Sequence, residues 1–197
     1  MLDSKKLEEV NTRIKNYLSD GVIRTKENVK DVDFFLINAK NSLESAKLLF
    51  SVSDSEDLQE KTGFMKFNGY LWVINSSYYS IFYMARAMIE NSGIKLKSDL
   101  SIHALAFDVL VHYFYLNGKL EKNLVQIFLE AKEETAELLG KNVADELIES
   151  YFHEKGKHGE FTYETGSFAM KNKAKTSLER ADKFNKEIRK IIHSSYS

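Results

Sequence analysis

Apolar residues along this chain recur at steps of three and four over long runs, the spacing of one helix face. The strongest run is Gly69 to Glu90, where Leu71, Ile74, Tyr78, Ile81, Ala85 and Met88 form a single stripe. Trp72, Tyr79, Phe82, Tyr83 and Ile89 widen that stripe until most of the circumference is apolar. A helix with so little polar surface is expected at the centre of a bundle, with no face left for solvent. Asn68 is placed to cap it, and Gly93 to end it.

The other runs are narrower. Residues 3–18 predict a polar helix carrying only Leu7, Val10, Ile14 and Leu18, stopped at Gly21. So thin a stripe suits a helix that packs on a surface, pairs with another subunit or moves. A stronger helix starts at Asp31, with Phe34, Ile37, Ala39, Leu43, Leu49 and Phe50 expected on the core side and Phe35, Asn38, Ser42 and Ala46 beside them. Ser51 to Phe67 clusters Ser, Asp and Gly and predicts a loop with at most one helical turn. Ser98 to Ser101 carries cap chemistry for a helix with Ile102, Leu105, Ala106, Val109, Leu110, Tyr113 and Leu116 inward, ended by Asn117-Gly118. A long amphipathic helix follows from Leu120 to Leu139, bent or stopped at Gly140, and its pattern continues through Val143, Leu147, Ile148, Tyr151 and Phe152. Gly156 to Gly166 predicts a second irregular segment anchored by Phe161 and Tyr163. The closing helix runs from about Ser167, with Phe168, Leu178, Ala181, Phe184, Ile188 and Ile191 inward. No period-2 strand and no repeat of 20–50 residues stands out. The expected fold is all-α: an antiparallel up-and-down bundle of five to six helices over residues 31–197, with residues 1–30 as an N-terminal helical extension.

Composition narrows the function classes. The 197 residues carry 28 basic and 29 acidic side chains, so bulk charge does not announce a nucleic-acid binder. Cysteine is absent, which removes disulfides, thiolate metal sites and cysteine nucleophiles. Proline is absent too, which suits long helices joined by short turns. Asn75, Ser76, Ser77 and Ser80 interrupt the best apolar run before it reaches the ~18 residues of a membrane span. The first residues are charged rather than signal-like, so a cytoplasmic location is expected. Charge is nonetheless segregated: residues 119–150 hold four basic and eight acidic groups, residues 171–190 eight basic and three acidic. Such segregation marks either a solvated amphipathic face or a phosphate-facing stripe.

The core run continues through Ser77-Tyr78-Tyr79-Ser80-Ile81-Phe82 into Ala85-Arg86-Ala87-Met88-Ile89. It resembles the signature helix of HEPN (higher eukaryotes and prokaryotes nucleotide-binding) domains. Ser101-Ile102-His103 stands where that family has a Thr/Ser-x-His segment, and Asn117-Gly118-Lys119-Leu120 matches its Gly-Lys-Leu turn. Phe161-Thr162-Tyr163 is similar to the aromatic end of its Arg…Tyr element, and Ala174 to Ile191 to its closing helix. The resemblance covers about residues 30–192 in order and spacing. It implies a helical nucleotide- or RNA-binding module, a homodimer, and a small nucleotidyltransferase as partner in a toxin–antitoxin or defence setting. One departure concerns activity. HEPN ribonucleases use Arg-x(4–6)-His, and none of Arg13, Arg24, Arg86, Arg180 or Arg189 has a histidine at that spacing. His158, not an arginine, lies five positions before Tyr163.

Candidate site residues follow from both lines. Arg86 is a lone cation inside an apolar helix and must pair, stack on a ring or reach solvent. His103 lies near a helix start, where the dipole favours neutral imidazole; it serves a structural hydrogen bond or a nucleotide-binding groove. His153-Glu154-Lys155-Gly156-Lys157-His158 is the densest polar cluster, read as a solvated helix end, a phosphate contact or an acid–base pair. Its two histidines are five apart with Gly156 between them, so they do not face one metal as His-Glu-x-x-His does. No glycine-rich phosphate loop, metal site or cofactor motif is present in the sequence. Three functions stay open: non-catalytic nucleotide or RNA binding through Arg86, His103, Lys155, Lys157, His158 and Tyr163; a divergent metal-independent ribonuclease using His153 or His158; and a structural dimerisation module.

Overall fold

The computed structural model describes residues 4–97, 102–139 and 160–194, with the side chains of the last stretch described from Met170 onward. It is all-helical apart from one short ladder. The helices are α1 (Ser4–Ser19), α2 (Val32–Ser53), α3 (Glu56–Thr62), α4 (Tyr70–Asn91), α5 (Ile102–Val109), α6 (Lys122–Leu139) and α7 (Glu160–Ser194). The ladder pairs β1 (Ile23–Arg24) with β2 (Lys95–Leu96), antiparallel, Ile23 opposite Leu96. Two residues a side is too short for a period-2 signal.

α4 is the central helix the pattern predicts, and α2 and α7 are its main neighbours. Direction follows from the cross-links. Ser53 Oγ accepts from Gly69 N while Arg86 lies over Phe35, so α2 runs antiparallel to α4. Glu134 accepts from Ser177 and pairs with Arg180, and Tyr78 meets Phe128, which sets α6 against both α7 and α4. Phe128, Phe184, Ile74, Ile81, Met84, Ile89, Leu110 and Ile188 are the large, fully buried side chains of the core.

The helix ends are set by local chemistry. Gly93 ends α4 with φ +69°; Ile94 N donates to Ile89 O and Gly93 N to Glu90 O, which closes the orphan carbonyls of the last turn. The α2 start has no side-chain cap of its own. Instead the buried carboxylate of Glu90, one turn past Arg86 on α4, accepts from Lys30 N and Asp31 N at 3.2 Å each and pairs with Lys95. A negative charge there also meets the positive end of the α2 dipole. Asn68 reaches Tyr70 N at 3.4 Å, but Gly69 occupies the cap position of α4.

Several expectations need correction. Phe34 and Ile37 are exposed, and the α2 face buried against α4 is Ala39 and Ala46 with Phe35 and Leu43 half-buried. Small residues let α2 and α4 approach closely, and the bulky residues turn outward. The 51–67 stretch is more helical than its composition suggests: α2 continues to Ser53, and Ser55 caps α3 by accepting from Leu58 N. Residues 110–115 leave the α-helical spacing for a π-helical turn that accommodates an extra residue. α7 begins at Glu160, earlier than Ser167. The Ser98–Ser101 cap, Gly140 and the 143–152 pattern lie outside the described residues. No helix among the described residues is long and apolar enough to cross a membrane.

Candidate functional site

α4 does not bury its whole circumference. Trp72 is 55% exposed and Tyr79 37%, with Ser76, Tyr83 and Arg86 half-buried on the same side. Spaced three and four apart, these residues form one strip, so the expectation of a helix without a solvent face fails there. Its neighbours explain why. α2, α6 and α7 close around the other sides, and only the first turn of α5 reaches the strip, through His103.

His103 is held in an aromatic nest. Its ring centroid lies 4.2 Å from Phe82 and 5.5 Å from Tyr78, and it meets Tyr79 edge-on at 5.9 Å. Its Nδ1 is 2.8 Å from the Tyr78 hydroxyl. Burial raises the Tyr78 phenol well above its ordinary range, so the phenol stays protonated. Burial first, then the charges of Lys132 and Arg86, push the His103 imidazolium down, so the ring is neutral at neutral pH. Together these fix the tautomer: Tyr78 O–H donates to Nδ1, and the ring proton sits on Nε2, a donor.

Arg86 lies with its Cζ 4.7 Å from the centroid of the Phe35 ring. Burial lowers its pKa, and the carboxylates of Glu90 and Asp31 act in the opposite sense. Its Nε has no hydrogen-bond partner among the described residues. A guanidinium stacked on a ring, with unused donors beside exposed tyrosines and a neutral histidine, can receive a phosphate or a carboxylate while a planar ring stacks on the tyrosines.

Of the residues singled out in the sequence, Arg86 and His103 come into one neighbourhood although 17 positions and a helix boundary separate them. His153, Lys155, Lys157 and His158 lie outside the described residues, as does the side chain of Tyr163. The basic stripe of α7 is largely neutralised within the chain. Arg180 pairs with Glu130 at 3.0 Å and Glu134 at 3.3 Å, Lys190 with Glu187, Lys171 with Asp54, and Asp182 accepts from Lys47. The shallow groove between α2 and α7 is lined by Lys47, Lys183 and Lys186 against Glu179, Asp182 and Glu187. Its equal charges make it a poor phosphate track.

Sequence reasoning missed Tyr79 and Tyr83 as surface residues. Periodicity alone cannot tell a fully surrounded helix from one lacking a neighbour on one side. It also missed Arg13 and Asp108, a bidentate pair 95 positions apart: Nε to Oδ2 at 2.7 Å and Nη2 to Oδ1 at 2.8 Å. No group of three or more His, Cys, Asp or Glu among the described residues is arranged to hold a metal ion. The chain matches no family model, no curated protein and no solved structure.

Proposed function

We propose that this chain is a HEPN-like helical module that binds RNA or a nucleotide without cleaving it, on the face carrying Tyr79, Tyr83, His103 and Arg86. The observation that carries the reading is the convergence of exposed tyrosine rings, a neutral histidine whose tautomer Tyr78 fixes, and an arginine with an unpartnered Nε. Exposed rings offer sequence-tolerant stacking for bases, and the guanidinium supplies charge for the backbone. The ordered resemblance of residues 30–192 points to the same class. The missing Arg-x(4–6)-His spacing argues for binding over cleavage. Lys155, Lys157, His158 and Tyr163 extend the contact in this reading, and a small nucleotidyltransferase is the partner the resemblance implies.

Fluorescence anisotropy with a labelled single-stranded oligoribonucleotide tests the proposal. The expected result is binding that weakens steeply as salt rises and that drops when Lys155, Lys157 and His158 are all changed to alanine. Affinity unchanged in the triple variant removes that segment from the site. The ribonuclease alternative is decided on the same RNA: cleavage by wild type that disappears in His158→Ala would replace the binding reading.

A second reading has its own observation. Phe34, Ile37 and Leu48 are all exposed on the outward face of α2. Three large apolar residues on one solvent-facing helix suit a homodimer contact. The two readings are compatible, since a dimer face on α2 leaves Tyr79 and Tyr83 open.

A further inference from the structure

α1 crosses the mouth of a cleft whose other walls are α5 and α6. The cleft has a volume of about 370 Å³, within the range that holds small organic ligands. Its floor is apolar and fixed: Val10, Phe107 and Leu129 are buried, and Ala104 completes it. α1 docks on the bundle through Val10 and Ile14, each 1% exposed, and bridges the opening without filling it.

The rim is charged and partly immobilised. Asp108 is 2% exposed and takes Arg13 through Nε and Nη2, so the guanidinium cannot swing away. The Nη1 edge of the same fork is left over. Glu9 Oε2 stands 4.0 Å from it, beyond hydrogen-bond length. Across the opening, the Lys132 ammonium sits 5.8 Å from the centroid of the Phe107 ring, above the floor. Lys6 adds a third cation on the α1 side. Three cations thus face two carboxylates, one of them committed to Arg13. Docking α1 requires only the Arg13–Asp108 pair; it does not require an open apolar floor beneath two further cations.

We propose that this cleft binds a small organic phosphate with a planar body, of the nucleoside monophosphate class. The flat ring system rests on Val10, Ala104, Phe107 and Leu129, and the phosphate meets the Nη1 edge of Arg13 and the Lys132 ammonium. The inference does not depend on the RNA-binding reading, because Tyr79, Tyr83 and Arg86 take no part in it. Since the cleft is walled by α1 on one side and by α5 and α6 on the other, an occupant ties the first helix to the bundle.

Calorimetric titration of the full chain with AMP, adenosine and inorganic phosphate tests it. Three variants are compared with wild type: Ala104→Leu, which fills the floor; Lys132→Glu, which reverses the rim; and Tyr79→Ala/Tyr83→Ala, which alters only the α4 face. The expected result is saturable one-to-one AMP binding, at least tenfold tighter than that of adenosine or phosphate alone. Both cleft variants weaken it at least tenfold, and the tyrosine variant leaves it unchanged. Helical content by circular dichroism is recorded for each; should Ala104→Leu fail to fold, Lys132→Glu at the half-exposed rim decides alone. The proposal is overturned by no AMP binding, by AMP binding that both cleft variants leave intact, or by phosphate binding as tightly as AMP. AMP binding lost only in the tyrosine variant assigns the nucleotide to the α4 face, upholding that reading and sinking this one.

Discussion

Ser80 sits at the point where three helices meet. Its hydroxyl donates to Ala39 O of α2 at 2.7 Å and accepts from Asn185 Nδ2 of α7 at 2.6 Å, with every member buried. Ser80→Ala leaves Asn185 Nδ2 and the Ala39 carbonyl without this partner, so unfolding in urea should show a loss of about 1–3 kcal/mol. A loss near zero would mean that water replaces the hydroxyl. The histidines give a pH signature. His103 and His112 both have lowered pKa values in the fold, through burial. A base whose folded pKa lies below its unfolded value favours the neutral native form. Stability from these groups is therefore fully present above the unfolded value, about 6.5, and is lost as pH falls through the folded values. Thermal melts should show falling stability below about pH 6.5, with a shallower decline in His103→Gln. At this scale the sequence spoke only in part. Arg86 and His103 stood out as a cation and an imidazole on apolar helices, whereas Ser80 looked like an interruption of the core run. Its partners lie 41 and 105 positions away, beyond any local pattern.

Among the elements, the legible ones are those whose own spacing determines them. α1, α2, α4 and α6 follow their apolar periodicity, and Gly21 and Gly93 stand where α1 and α4 stop. Gly93 has φ +69°, and a Cβ there would lie 3.1 Å from the Glu27 carbonyl oxygen. Gly93→Ala should cost about 1–2 kcal/mol from the left-handed backbone alone, and more if the Glu27 segment must shift. Equal denaturation midpoints for variant and wild type would contradict this. What periodicity could not give is which face of a helix finds a neighbour. On α2 the alanines take the close contact with α4, so Phe34 and Ile37 point away from the core. The docking of α1 was equally hidden, because a stripe of four apolar residues does not announce Arg13–Asp108 or the Asn11–His112 hydrogen bond at 2.8 Å. Arg13→Ala strands the buried Asp108 carboxylate. Hydrogen exchange should then show loss of protection in α1 while the α4 amides stay protected; equal protection in α1 would mean that Val10 and Ile14 suffice.

At the scale of the whole molecule, the near balance of 28 basic and 29 acidic residues is reproduced locally by pairing. The acidic α6 and the basic α7 meet through Arg180 with Glu130 and Glu134, so their opposite charges are satisfied within one chain. That pairing weakens the case for charge-driven self-association and leaves apolar surface as the driving force. If α2 is the dimer face, light scattering at micromolar concentration should give twice the chain mass, and Phe34→Glu/Ile37→Lys should return it to a monomer with unchanged helicity. A wild-type monomer would remove that reading. The fold class was readable because helix periodicity is a property of sequence alone. The site was readable only as two residues, because a site is made where helices leave each other uncovered.

The central claim is that the tyrosine strip of α4 is a nucleic-acid surface. Its most direct test is anisotropy of a labelled single-stranded oligoribonucleotide with wild type and Tyr79→Ala/Tyr83→Ala at matched salt. Stacking is worth about 1–3 kcal/mol per base, so the double variant should bind at least tenfold more weakly while keeping its helical content. Equal affinity in the two proteins, or no binding by wild type at low salt, would contradict the account.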